Sequence, residues 1–279
     1  MTWRSDRSAA NAPRAITSLQ NERVKFVRSL RMRKVRNETG LFLADGISVV
    51  ITAREQGWTP RTLIYADSEK QSKAAIGLVE WATAGGAECL EVTEPIIAKL
   101  AARDNPQNVM AVFEQRWAAV PSAASEPADA TWLALEEVRD PGNLGTIIRS
   151  ADAVGARGII LIGASCDPYS PEATRATMGS IFSVPLVRMQ PQQFRDWVKR
   201  WPGDVVGTHL SASVDFRKVS YRGPAMLVMG SEGAGLSDEM KAACTQLVKI
   251  PMAGRLDSLN LAVATALALY QIRGPHLRL

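Results

Sequence analysis

The sequence predicts an α/β protein of two domains, each built on a mostly parallel sheet. Three observations carry this reading. Short apolar runs of strand length alternate with helical patterns through two stretches, 41–115 and 131–272. Between them lies 118–130, AAVPSAASEPADA, which holds no large apolar residue after Val120 and is a linker by composition. A chain of 279 residues is also long for one compact domain and comfortable for two. The expected division is therefore a first domain over 1–117, the linker, and a second domain over 131–279.

In chain order, 21–36 reads as one basic helix, with Val24, Val27 and Leu30 on one side and Arg and Lys around the rest. A short strand at 41–44 precedes a helix over 47–56 that Gly57 ends. Next come a strand at 61–66, a helix over 70–84 stopped by Gly85-Gly86, a strand at 88–92, a helix over 94–102 and a strand at 109–115. As a flexible coil the linker spans roughly 20 Å, enough to let the first domain swing. The second domain begins with a strand at 131–135, a helix over 144–154 and a strand at 158–162. Helical patterns follow at 171–179 and 192–200, then strands at 205–208 and 225–229. A short helix at 238–243, a strand at 247–250 and a long helix over 259–272 complete the chain. No internal repeat is visible.

Composition narrows the chemistry. The hydrophobic share of 46% and charged share of 22% are those of a soluble globular protein. No uncharged apolar run reaches the ~20 residues a bilayer span needs. Arg4, Arg7 and Arg14 with nearby serines faintly suggest a transit peptide, but Asp6 and the lack of an apolar stretch favour a cytoplasmic protein. Cys89, Cys166 and Cys244 are far apart, odd in number and in no metal-ligand spacing, as expected of reduced thiols. His209 and His276 are the only histidines. Zinc hydrolysis and Ser-His-Asp catalysis therefore have almost no raw material, and no metal is expected. The net charge of +5 is uneven: the first forty residues carry ten Arg and Lys against three Asp and Glu, leaving −2 for the rest. Arg23, Lys25, Arg28, Arg31, Arg33, Lys34 and Arg36 form the densest run. Such a run suits phosphate-backbone attraction, and it reads equally as a solvated helix face.

Three segments of the second domain join a strand to a helix, where α/β proteins place ligands. The first runs from Glu136 to Arg149, EEVRDPGNLGTIIR. Pro141-Gly142 makes a turn and Asn143 is placed to cap the next helix. The apolar stripe of Leu144, Ile147, Ile148, Ala151 and Val154 leaves Arg149 off the core face, where it reads equally as a surface arginine. The second, Met229-Gly230-Ser231-Glu232-Gly233-Ala234-Gly235-Leu236-Ser237, puts three glycines straight after an apolar strand. Its spacing is neither a dinucleotide fingerprint nor a phosphate loop, and a plain tight connection would also explain it. Glu232 at its apex adds little to packing. The third runs from Ile250 to Ala264, IPMAGRLDSLNLAVA, with Asp257 or Ser258 expected to cap the last helix. That helix is apolar almost all round, so its burial between subunits is expected. Asn260 on it needs hydrogen-bond partners, and a loop-holding role is as fitting as a catalytic one.

Together the three segments resemble the signature motifs of the SpoU (TrmH-like) branch of the SPOUT methyltransferases: D-P-x-N-x-G…R, then G-x-E-G-x-G-L, then I-P-M…S-L-N-L-A-V-A, in family order over 131–272. Residues 16–115 resemble the ribosomal-protein-like substrate-binding domain of many members, through Leu41-Phe42-Leu43-Ala44-Asp45-Gly46 and Asn105-Pro106-Gln107-Asn108-Val109. Asp45 stands where that domain usually has glutamate.

The resemblance implies S-adenosylmethionine as cofactor and a ribose 2′-hydroxyl in RNA as acceptor. It implies cofactor contacts from Thr208, Leu210, Met229, Gly230, Glu232, Gly233, Gly235, Leu236, Ile250, Met252, Ser258 and Leu259. Arg149 matches the arginine used at the reacting hydroxyl, with Asn143, Glu232, Ser258 and Asn260 holding the site. It also implies a C-terminal trefoil knot, which no sequence pattern would suggest, and a homodimer, with which the apolar last helix is compatible. The basic run would then grip RNA, with ribosomal RNA preferred to transfer RNA because two domains suit a large folded substrate. Two rivals remain: a non-catalytic RNA-binding protein on the same fold, and a nucleotide-cofactor oxidoreductase, which the loop spacing disfavours.

Overall fold

In the computed structural model, residues 13–101 and 107–278 are described, and the chain divides into one unit over Met1–Gln115 and another over Arg116–Leu279. Arg4, Asp6, Arg7, Ala102, Asn105 and Pro106 of the sequence reading lie outside the described residues.

The first unit is built on five strands: β1 (Arg14–Ile16), β2 (Leu41–Asp45), β3 (Thr62–Ala66), β4 (Glu88–Val92) and β5 (Val109–Glu114), in the order β1-β4-β3-β5-β2. β1, β4 and β3 run parallel, but β5 lies antiparallel to both β3 and β2. The sheet is therefore mixed, because β5 returns through the middle of it. Its core gathers Ile64, Leu90, Ile96, Ile97, Leu100 and Met110.

The single basic helix expected over 21–36 is two: α1 (Glu22–Ser29) and α2 (Arg33–Thr39). Asn21 caps α1, accepting from the Arg23 amide at 2.9 Å, while the buried Leu30 ends it and Met32 is extended. The break is stabilised by one of the basic side chains itself. Arg36 is buried, and its Nη1 donates to the carbonyls of Leu30 (2.8 Å) and Arg31 (2.7 Å). Such charge-assisted bonds satisfy the carbonyls a helix end leaves free. α3 (Ile47–Glu55), α4 (Lys73–Ala84) and α5 (Glu94–Ala101) complete the unit.

The second unit carries β6 (Thr131–Glu136), β7 (Gly158–Ile162), β8 (Leu186–Met189), β9 (Val205–Thr208), β10 (Val214–Asp215), β11 (Ala225–Met229) and β12 (Gln246–Lys249). Their order is β10-β12-β9-β11-β6-β7-β8, and all six pairings are parallel. β8 and the two-residue β10 escaped the sequence reading. Every residue of β6, β7 and β11 is buried, as in a parallel sheet covered on both faces. The helices are α6 (Pro141–Ala153), α7 (Pro171–Ala176), α8 (Pro191–Val198), α9 (Asp238–Ala243) and α10 (Leu261–Arg273). Trp132, Ile160, Val187, Phe194, Trp197, Trp201 and Met226 share one core cluster of this unit.

Strand order places the loops. From β6 the chain moves outward through β7 to β8, then reverses to build β9, β11 and β12 on the other side. Such a reversal opens a crevice beyond the carboxyl ends of the strands. Leu135 pairs with Met229, Val228 with Gly207, and Val248 with Thr208. All three signature loops, and the turn after Thr208, therefore leave the same sheet edge.

The segment 118–130, expected to be a flexible linker, is fastened to the second unit. The Ala118 amide donates to Leu186 O at 2.8 Å, Trp197 Nε1 to Pro121 O at 3.0 Å, and Trp132 Nε1 to Glu126 Oε2 at 2.9 Å. Composition missed this because the partners are tryptophans and a backbone carbonyl outside the segment.

Gly145 shows why a glycine stands inside α6. A Cβ there would lie 2.5 Å from both Ala173 O and Ala176 Cβ of α7. Gly145→Ala must therefore push the two helices apart, and overpacking of this kind costs about 1–3 kcal/mol. Urea unfolding of this variant is expected to show that loss; an unchanged midpoint would mean the helix contact yields freely.

Candidate active site

The two caps expected from the sequence are displaced by one turn or less, and the displacement frees the Asn143 side chain while it engages that of Asn260. Asp140, not Asn143, caps α6, accepting from the Asn143 amide at 2.6 Å, with Pro141 in the first turn. Asn260, rather than Asp257 or Ser258, caps α10, its Oδ1 accepting from the amides of Ala262 (2.9 Å) and Val263 (3.3 Å). The side chains of Asn143 and Asn260 then meet: Asn260 Nδ2 donates to Asn143 Oδ1 at 2.9 Å.

Glu232 closes the network. Its carboxylate accepts from the amides of Arg139 (3.1 Å) and Asp140 (3.2 Å) and from Asn143 Nδ2 (3.3 Å). One chain of hydrogen bonds, Glu232 to Asn143 to Asn260, thus joins the three loops singled out in the sequence, across 89 and 117 residues. Burial by itself pushes the Glu232 carboxyl up, but the backbone amides and Asn143 together hold it below the ordinary 4.5. Glu232 is therefore an ionised anchor and a poor proton acceptor at neutral pH. Because its folded value is depressed, the stability these bonds contribute is present above pH 4.5 and lost as pH falls through that lower value. Glu232→Gln is expected to lose this portion of the acid dependence of unfolding; the same acid limb in both proteins would sink the assignment.

The glycine loop after β11 is folded back on itself. Ser231 and Gly235 exchange two backbone bonds of 3.1 Å, and Gly235 has φ +69°. A Cβ on Gly230 would fall 2.0–2.2 Å from the backbone of Gly235 and Leu236, so no side chain fits. Leu236 is buried in the core cluster with Met240, which turns its side chain away from the sheet edge and leaves only its backbone for a ligand. Met229 is buried as well, its sulfur accepting from Thr208 Oγ1 at 3.3 Å. Leu210 and Leu259 are exposed, Met252 is half-buried, and Ile250 packs beside Val206, Phe216 and Val248. Ser258 is exposed and its hydroxyl donates only to Asp257, at 3.2 Å. Among the described residues, no backbone hydrogen bond is made by 251–259, so that loop offers free amides and carbonyls.

Arg149 is exposed on α6 and, among the described residues, forms no ion pair or hydrogen bond. It lies six positions beyond Asn143, roughly 9 Å along the helix, and the network does not include it. Cys166 lies near Glu232 and Asp140; burial first, and then those two carboxylates, push its thiol up to about 12, so it stays protonated. No cluster able to hold a metal occurs among the described residues.

The expected RNA-binding set divides. Arg23 pairs with Glu88, Arg31 donates to the carbonyls of Lys99 and Leu100 at the end of α5, and Arg36 is buried. These three hold the fold. Lys25, Arg28, Arg33 and Lys34 remain exposed. Glu136 was quoted in the sequence without a role; a carboxylate ending an otherwise apolar, fully buried strand was the available signal.

The two halves of the chain match two family models. Residues 130–270 match the SpoU rRNA Methylase family, and 21–111 match the MRM3-like substrate binding domain. The chain is 34% identical, over 93% of its length and 92% of the relative's, to the 23S rRNA (uridine(2479)-2′-O)-methyltransferase of Streptomyces viridochromogenes. It is 28% identical, over 93% and 99%, to the 23S rRNA (guanosine(2553)-2′-O)-methyltransferase RlmP of Bacillus subtilis. Its fold superposes with TM-score 0.87 on an AdoMet-bound rRNA methyltransferase from Sinorhizobium meliloti, at 44% identity, covering 95% of this chain and 99% of that one. Motif order, parallel sheet and bridged loops of the second unit thus agree with these matches, and the chain belongs to the SpoU rRNA methylase family.

Proposed function

We propose that this protein transfers a methyl group from S-adenosylmethionine to a ribose 2′-hydroxyl of ribosomal RNA. The observation that carries the reading is the Glu232–Asn143–Asn260 bridge, which ties three loops together at one sheet edge on the helix that bears Arg149. The relatives named above supply the substrate class.

The residues at this edge fit the cofactor. The back-folded Gly230–Gly235 loop allows close backbone approach, 251–259 offers unused amides and carbonyls, and Leu210 and Leu259 present apolar surface to an adenosine. Thr208, Met229, Gly233, Ile250, Met252 and Ser258 complete the proposed contacts. When bound, S-adenosylmethionine supplies an electrophilic sulfonium methyl, so no metal is required.

The chain's own work is positioning and charge control. Arg149 pairs with the phosphate beside the target nucleotide and stabilises the oxyanion that develops at O2′. A guanidinium is by its chemistry a charge partner rather than an effective base. Asn143 and Asn260 hold the first and third loops together, Glu232 fixes the second against them, and Ser258 lines the entry. Lys25, Arg28, Arg33 and Lys34 grip RNA phosphates.

The protein acts as a homodimer with a C-terminal trefoil knot. Val263, Leu267 and Tyr270 are 49%, 43% and 50% exposed at helical spacing on α10, an apolar face a second subunit would cover. β12 enters between β9 and β10, as a late segment threaded under an earlier loop would. Light scattering should give twice the chain mass for the parent and a monomer for Leu267→Asp; a monomeric parent would refute the dimer.

The direct test is methyl transfer from labelled S-adenosylmethionine to purified ribosomal and transfer RNA, assayed separately. Label in ribosomal RNA, lost when the target 2′-hydroxyl is replaced by hydrogen, is the expected result. Label only in transfer RNA would overturn the substrate, and absence of cofactor binding would overturn the reaction. Replacing Lys25, Arg28, Arg33 and Lys34 together with alanine should weaken RNA binding and flatten its log–log salt dependence by roughly 0.7–0.9 per lost contact. An unaltered slope would place the RNA elsewhere.

A further inference from the structure

Glu136 stands outside the bridge just described and is not needed for it, yet it is one of the few carboxylates with almost no exposure, at 9%. It ends β6, where the strand pairs through Leu135 with Met229 at the foot of the glycine loop. Its two oxygens turn toward the other end of that loop. Oε2 accepts from the Ser237 amide at 2.9 Å and Oε1 from the Ser237 hydroxyl at 2.6 Å. The same hydroxyl accepts from the Met240 amide at 3.2 Å as the cap of α9. Its single proton is therefore committed to Glu136, and one of its two lone pairs to the helix.

The loop is thus held to the first signature segment from both sides. Glu232 reaches from the loop to the Arg139 and Asp140 amides, and Glu136 reaches from β6 back to Ser237. Beneath it, Leu236 is wedged so tightly that a Cβ on Gly207 would lie 2.9 Å from its Cδ1. We propose that Glu136 is a positioning residue for cofactor binding, which clamps the 230–237 loop through Ser237 in the shape that receives S-adenosylmethionine. This rests on the function proposed above. Two donors converge on Glu136, and its carboxylate offers one oxygen to each. A glutamine offers one oxygen, removes the charge and forces the Ser237 hydroxyl to turn its proton away and accept instead, so it replaces the charge-assisted pair by weaker neutral bonds at nearly constant volume.

The test compares the full-length parent with Glu136→Gln and, should that variant fold poorly, with Ser237→Ala. Calorimetry with S-adenosylmethionine alone should show affinity reduced roughly 10- to 100-fold in either. At saturating cofactor kcat should stay within about three-fold of the parent, so that the loss falls on KM. Hydrogen exchange without cofactor should quicken across 231–237 while β6 and β11 stay protected. Ser237→Thr, which keeps the hydroxyl and the cap, should retain the parental affinity that Ser237→Ala loses. If the parent binds S-adenosylmethionine and Glu136→Gln binds it equally well, the clamp is refuted and the function stands. If the parent itself does not bind it, the proposed function fails and the clamp with it. A loss of kcat with unchanged cofactor affinity would also overturn the proposal.

Discussion

Replacing Arg149 with alanine is expected to lower kcat by roughly 100- to 1,000-fold, the usual cost of losing one group aimed at developing charge. The affinity for S-adenosylmethionine should stay within about three-fold of the parent, because the cofactor edge is built by other loops. The structure favours a clean result: Arg149 is exposed, has no partner among the described residues, and its removal leaves no buried group unpaired. Arg149→Lys should recover only part of the rate, since an ammonium cannot reproduce the guanidinium fork. Single-turnover transfer to ribosomal RNA, with cofactor binding by calorimetry, separates the two effects. Near-parental turnover in the alanine variant would remove Arg149 from the reaction. A parallel loss of cofactor affinity would assign it to the binding site instead.

Gly230→Ala is expected to have the next largest effect, on binding rather than chemistry. A Cβ there would lie 2.0–2.2 Å from the backbone of Gly235 and Leu236, so the loop must open to admit it. Overpacking costs of about 1–3 kcal/mol correspond to roughly 5- to 150-fold in cofactor affinity. Gly233→Ala is the matched control, because a Cβ there has nothing within 4 Å. Calorimetry should show weak binding for the first and parental binding for the second. Equal affinities in all three proteins would mean the folded-back loop is not what receives the cofactor.

Much of the local structure was legible because it follows from short-range patterns. The alternation of strands and helices located the sheet of the second unit, and the glycine run after an apolar strand located its tightest loop. Where the reading failed, the cause was a partner distant in the chain. One helix over 21–36 became two because Arg36 turns inward to the carbonyls of Leu30 and Arg31. The mixed sheet of the first unit arose from β5 returning between β3 and β2, which no alternation pattern reports. The helix caps moved to Asp140 and Asn260, since all five candidates are good capping types and propensity cannot rank neighbours.

For the site itself, sequence determined which residue types could act. It left zinc hydrolysis and Ser-His-Asp catalysis almost no raw material, and it singled out Asn143, Arg149, Glu232 and Asn260 as candidates. Tertiary structure alone decided which of them meet. Glu232 and Asn143 are 89 residues apart and Asn143 and Asn260 are 117 apart, yet the two pairs sit at 3.3 and 2.9 Å. The sheet reverses its order beside β6 and delivers all three loops to one edge. The same reversal set Ser237 on Glu136, a contact across 101 residues. A hydrogen bond depends on where the strands carry its two ends, and parallel pairing over such separations is settled by burial of both sheet faces, not by any local run of residues.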